Sequence, residues 1–138
     1  MISVPYNFAF NYPFLNHRRF PALQIRVASL CAPDQAVETD AYLDSGTELS
    51  LFNGDIARSI ELDLLAGQPK TYQSTSGAAI EARLHRVRLS HAILGDFDLE
   101  VGFSLSRISR DLLDRDFFNC IQIGLRENQL AFYVTPTP

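Results

Sequence analysis

Chemistry in this 138-residue chain begins at residues 41–50, AYLDSGTELS. An apolar run, Ala41-Tyr42-Leu43, delivers one carboxylate, Asp44, into Ser45, Gly46 and Thr47. A carboxylate fixed at a strand end can take or give a proton. A neighbouring hydroxyl can orient it, and a glycine lets backbone N–H groups approach with no Cβ in the way. Asp-Ser-Gly is also common turn chemistry. Context separates the two readings. This turn joins Ala41-Tyr42-Leu43 to Leu49-Ser50-Leu51-Phe52, and turn residues held between apolar strands usually carry function.

Other chemistry is sparse. Cys31 and Cys120 lie far apart, with no C-x-x-C, and His17, His85 and His91 are equally scattered. No metal-ligand spacing results, so free thiols in a reducing compartment are expected. The formal net charge of −4 argues against a nucleic-acid surface despite His17-Arg18-Arg19. With 46% hydrophobic and 20% charged residues, the composition is that of one globular domain over 1–138. No basic-then-apolar leader is visible and no run reaches the ~20 apolar residues of a membrane span. A soluble, cytoplasmic protein without membrane partners is expected.

The elements that must hold Asp44 speak mostly in period-2 alternation, which is strand language. Such runs occupy Phe20–Val27, Val37–Leu43, Leu49–Phe52, Ile80–Leu84, Phe97–Phe103, Ile121–Ile123 and Leu130–Val134, with a turn at Glu127-Asn128. After Leu84 the apolar phase slips to Val87 and Leu89, which predicts a bulge near His85-Arg86. Two stretches read as helices: 55–62 capped by Asn53, and 110–118 capped by Ser109. The fold class is therefore all-β with two short helices, arranged as a small closed barrel. Ahead of it, residues 1–19 form an extended segment whose Tyr6, Phe8, Phe10, Tyr12 and Phe14 share one face. Burying such rings is worth roughly 1.5–3 kcal/mol each, so the stripe packs on its own subunit or in a subunit interface. Residues 135–138 read as a short Thr/Pro tail.

The segment apolar-apolar-Asp-Ser-Gly resembles the active-site segment of aspartic proteases, most closely the single-lobed, retropepsin-like branch. A second landmark of that family, apolar-apolar-Gly-Arg-Asp/Asn opening a helix, is matched by Leu112-Leu113-Asp114-Arg115-Asp116; a shifted match to Ile108–Leu113 leaves too long a segment behind it. Between the landmarks Thr71–Ile80 carries the small, glycine-bearing tip of a flap hairpin. The resemblance spans roughly residues 20–134. It implies a closed barrel with one lobe per chain and a homodimer that pairs Asp44 with its mate. The reaction implied is cleavage of an extended peptide by a water activated between two carboxylates sharing a proton, with no metal or cofactor. It further implies Asp44, Ser45 and Gly46 as the catalytic segment, and Thr47, Glu48, Tyr72, Ser76, Gly77 and Ala78 as cleft and flap. Arg115, Asp116 and Asp114 become supports, with a Glu48–Arg115 ion pair. The aromatic stripe and Phe132-Tyr133-Val134 would help build the dimer interface.

One departure stands out: the family's glycine is Asp114 here, which implies weakened or absent activity. A catalytically silent peptide-binding or dimerisation module on the same fold is thus the alternative function. LDSGT also resembles the phosphate loop of sugar kinases, but those folds need far more chain. A hydrolase using Ser45 lacks the G-x-S-x-G elbow.

Overall fold

The computed structural model describes residue 3, residues 5–74 and residues 76–137. In chain order the strands are β1 (Phe8–Asn11), β2 (Phe14–Leu15), β3 (Arg18–Arg19), β4 (Ala22–Ser29), β5 (Val37–Leu43) and β6 (Leu51–Asn53). Helix α1 (Gly54–Ser59) precedes β7 (Gln68–Gln73), β8 (Ala79–His91), β9 (Gly95–Ser104) and β10 (Asp111–Leu113). Helix α2 (Arg115–Phe118), β11 (Ile121–Arg126) and β12 (Ala131–Pro136) complete the order.

The main sheet runs β4-β5-β10-β6-β9-β8-β7, and β4 also pairs with β8. That extra pairing, Arg26↔Ser90 through Ser29↔Val87, closes β4, β5, β10, β6, β9 and β8 into a six-stranded barrel. Closure leaves those strands without an open edge. β7 lies outside the ring as the partner of the first half of β8, forming a hairpin that leans away from it.

The predicted bulge is absent. β8 pairs with β9 residue for residue from Ala82↔Ser104 to His91↔Gly95. The apolar phase slips because the strand serves two cores on opposite faces. Ala82 packs with Leu51, Tyr72 and Ile80 beneath the hairpin, whereas Val87 and Leu89 face the barrel interior with Val27, Val101 and Phe103. A long twisted strand can change the face it buries without gaining a residue.

The second predicted helix forms only in its later half, α2, and its first half is strand β10. Asp111-Leu112-Leu113 inserts between β5 and β6, parallel to the former and antiparallel to the latter. Helical spacing of Leu113 and Phe117 lost to pairing on both sides. The Asp111 carboxylate locks the insertion by accepting from the Thr39 hydroxyl, the Asn53 backbone N–H (2.8 Å) and Asn53 Nδ2 (3.0 Å). Asn53 consequently caps nothing with its side chain, since its Oδ1 accepts the Ile108 N–H at 2.8 Å. α1 starts at Gly54, where a Cβ would stand 2.1 Å from the Ser104 carbonyl oxygen.

The aromatic stripe packs on its own subunit. β1 pairs with β12, and β12 with β11, in a three-stranded sheet. Phe10 stacks on Phe132 at 5.2 Å and meets the His91 ring edge-on at 5.5 Å, and Tyr12 is fully buried with its hydroxyl donating to Glu127 Oε2 at 2.6 Å. Only the ends of the stripe, Tyr6 and Phe14, stay exposed. The Thr/Pro segment is not a free tail either: Thr135 and Pro136 continue β12, and Thr137 N–H donates to the Cys120 carbonyl at 3.1 Å.

Candidate active site

Because β10 occupies the place between β5 and β6, the chain leaving β5 must arch over it to reach β6. That arch is residues 44–50. Parallel pairing of Leu43 with Leu113 continues one step further, as the Asp44 N–H donates to the Leu113 carbonyl at 2.9 Å. The backbone of Asp44 is thereby fixed while its side chain stands exposed. Asp44 Oδ1 accepts the Gly46 N–H at 2.8 Å. A Cβ at Gly46 would come within 3.1 Å of that same oxygen, so glycine lets the carboxylate sit close over its own loop.

The far side of the arch is anchored to α2. Thr47 N–H donates to Asp114 Oδ1 at 2.9 Å, and the Thr47 carbonyl accepts Arg115 Nε at 2.8 Å. Asp116 N–H donates to the Glu48 carbonyl at 3.0 Å. The Asp116 carboxylate takes the Ser50 N–H (3.0 Å) and hydroxyl (2.6 Å), and that hydroxyl in turn accepts the Asp114 N–H at 2.9 Å. Ser50 is fully buried at the centre of this web. Two carboxylates of α2 and its first turn thus hold the loop through its backbone, which positions Asp44 without touching its side chain.

The expected Glu48–Arg115 ion pair does not form. Arg115 spends its Nε on the Thr47 carbonyl, and the exposed Glu48 contributes its main chain instead. Ser45 is exposed and its hydroxyl has no hydrogen-bond partner among the described residues.

Asp114 is where the site departs from economy. The residue is fully buried, Oδ1 is engaged by Thr47, and Oδ2 has no partner among the described residues. Burial, reinforced by the charges of Asp44 and Asp116 and opposed by the Thr47 hydrogen bonds, pushes its carboxyl up to about 6. Two of these carboxylates, Asp114 and Asp116, also act on Tyr72. Its phenol is raised well above the ordinary tyrosine range, first by burial and then by Asp116, Asp114 and Glu100.

A hairpin of β7 and β8 overhangs the loop. Gly77 has φ +86°, and Ser74 N–H donates to the Ala78 carbonyl at 2.9 Å to close the tip. Ser76, Gly77 and Ala78 are exposed at that tip, while Gln73, Ser74 and Ile80 border the cavity below. Tyr72 lies in β7 just below the tip, paired with Ile80, and is buried where the tip residues are exposed. Its hydroxyl donates to the Ser50 carbonyl at 3.3 Å, and a Cβ at Gly102 would collide with it at 2.4 Å. The cavity measures about 410 Å³ and joins Asp44 and Asp114 to an apolar wall of Leu51, Ile80, Ile108 and Leu112.

A carboxylate at the floor of a groove, under a hairpin and carried on an arch over an inserted strand, is the geometry that decides the comparison. The chain has the retropepsin-like fold of aspartic proteases. It superposes on the crystal structure of a retropepsin-like aspartic protease from Rickettsia conorii with a TM-score of 0.59, at 13% identity, covering 83% of this chain and 89% of that one. It also matches the EIAV protease complexed with the inhibitor HBY-793, with a TM-score of 0.51 at 13% identity, over 76% and 90% of the two chains. No family model and no curated protein sequence matches it. Within this retropepsin-like frame, three residues escaped the sequence reading. Ser50 was hidden inside an apparent strand, Asp111 inside an apparent helix, and Arg110, which borders the cavity, beside it. A polar residue inside an apolar run, such as Ser50, is the one usable signal.

Proposed function

We propose that the protein is an aspartic endopeptidase acting as a homodimer, with Asp44 of each subunit forming one carboxyl pair. The observation that carries this reading is the exposure of Asp44 on a loop whose backbone is otherwise tied down on both sides. A carboxylate so held is rigid, solvent-facing and unpaired by any cation among the described residues, so a two-fold mate can meet it. Two apposed carboxyls retain one proton between them. The ionised member takes a proton from water as the water oxygen attacks the peptide carbonyl, and the protonated member gives its proton to the carbonyl oxygen. Collapse of the resulting diol passes a proton to the amine and breaks the C–N bond. The apolar wall of the cavity suits a hydrophobic side chain beside the scissile bond, and the hairpin edge offers strand pairing to an extended peptide.

The silent-module reading draws on Asp114, whose buried carboxyl stands in place of the glycine of relatives. One experiment separates the two. A mixed peptide library is digested from pH ~4 to ~7, the span of a proton-sharing pair, by wild type and by Asp44→Asn. Cleavage by wild type that disappears in the variant supports the protease. Absence of cleavage by a dimer confirmed in sedimentation would falsify it in favour of the binding module.

A further inference from the structure

Arg110 is the cation of the cleft wall, and its setting is built. It lies between β9 and β10 and borders the same cavity as Asp44. Its guanidinium carbon stands 4.7 Å from the centroid of the Tyr42 ring and 5.2 Å from that of Phe20. These two rings pack against each other at 5.0 Å, and Asn16 Nδ2 donates to the Tyr42 hydroxyl at 3.0 Å. The shelf beneath the arginine is therefore fixed before anything binds. Stacking uses the face of the guanidinium plane and leaves the N–H donors at its edge. Among the described residues those donors have no acceptor, and no carboxylate lies within 4.0 Å of them.

The neighbourhood says what those donors would take. Asp44 and Asp114 are the carboxylates bordering the cavity, and the rest of its wall near Arg110 is largely apolar. The groove continues into a second cavity of about 250 Å³ that shares Gly46, Thr47, Tyr72 and Gln73 with the first and is bordered by Lys70 and Arg115. A chain with net charge −4 thus places Arg110 along the first cavity, and Lys70 and Arg115 against a single carboxylate, Glu48, along the second. A pre-oriented guanidinium edge matches a planar carboxylate bidentately.

We infer that Arg110 is a specificity-determining residue that selects peptides carrying an Asp or Glu side chain beside the scissile bond. This rests on the endopeptidase reading and names the substrate class of the same cleft. A purely structural Arg110, covering aromatic surface, would affect folding stability and leave cleavage preference alone.

The test is sequence-resolved digestion of a peptide library holding Asp, Glu, Asn, Gln and Lys at each position around one cleavable bond. Wild type, Arg110→Gln and Arg110→Glu are compared at pH about 6, where substrate carboxylates are ionised, after thermal melts confirm folding. Wild type is expected to favour Asp and Glu at one position. In Arg110→Gln the ratio of kcat/KM for acidic over neutral peptides falls about tenfold, the worth of one charge-assisted contact, and Arg110→Glu turns the preference toward Lys. Absence of acid preference in wild type, or its survival in Arg110→Glu, overturns the inference, as does loss of the dimer with preference unchanged. If no peptide is cut, the endopeptidase reading fails by itself. Labelled acidic and neutral peptides titrated onto Asp44→Asn, with and without Arg110→Glu, then decide for Arg110. Tighter binding of the acidic peptide that charge reversal abolishes upholds the inference, and equal binding overturns it.

Discussion

Asp114→Asn should make the protein more stable at neutral pH, and the gain should vanish in acid. In the folded chain the carboxyl is raised from 3.8 to about 6 by burial and by two like charges. The unfolded chain therefore ionises first as pH rises. Between about pH 4 and pH 6 each step upward favours the unfolded state, and above pH 6 the loss is complete. A shift of roughly two units corresponds to about 3 kcal/mol at most, cut to roughly 2 kcal/mol because the effective dielectric even at buried sites is well above that of a dry interior. Asparagine keeps the oxygen that accepts from Thr47 and cannot ionise. Its amide takes the place of Oδ2, an atom with no partner to lose among the described residues. Thermal melts of both proteins from pH 3.5 to 7.5 would read the difference as Tm. Carboxylates other than Asp44 and Asp116, which feel the charge at position 114, cancel in that difference, as does any constant offset from the amide. The variant's advantage should grow by roughly 5–8 °C on going from pH 4 to pH 7. A difference that stays flat over this range, or shrinks as pH rises, would mean that Asp114 is not the buried proton-holder described above.

Three further substitutions probe the frame of the site. Gly54→Ala places a methyl 2.1 Å from the Ser104 carbonyl; since main chain must move at both α1 and β9, a loss of about 2–3 kcal/mol is expected in urea unfolding. Glu48→Gln leaves its carbonyl bond to Asp116 intact and breaks no ion pair, so stability should change by less than about 0.5 kcal/mol. Arg115→Ala, which removes a charged donor from the Thr47 carbonyl, should cost about 1 kcal/mol; equal effects at the two positions would restore the ion pair that the geometry denies.

Strand content was legible because alternation is a local signal: β5 matches its run, and β4, β9 and β12 each overlap most of theirs while running a few residues past it. The active-site loop was legible for a different reason, since its residue types are constrained by chemistry and close backbone approach. What failed were places where one segment serves two neighbours. Asp111–Leu113 has helical spacing, but a position between β5 and β6 satisfies its backbone on both sides and its aspartate from Thr39 and Asn53. β8 looked bulged because its halves bury opposite faces against different cores. The Glu48–Arg115 pair failed because side-chain charge was weighed while the main-chain carbonyls of the loop went uncounted. None of these partners lies near in sequence, so no short window could reveal them.

The pairing of β1 with β12 has a consequence for how the chain comes to be folded. Asn7 N–H meets Thr135 Oγ1 across 128 positions of sequence, and the backbone of β1 finds its strand partner on β12, where Phe10 also stacks on Phe132. During synthesis, β1 must wait without its strand partner until β12 has been made. Ordering so long a loop is entropically slow, and an exposed aromatic strand is the kind of surface to which holding chaperones and other unfinished chains adhere. Folding of this domain is therefore gated by β12: a nascent chain stalled before it would hold a formed barrel beside a sticky, unpaired β1.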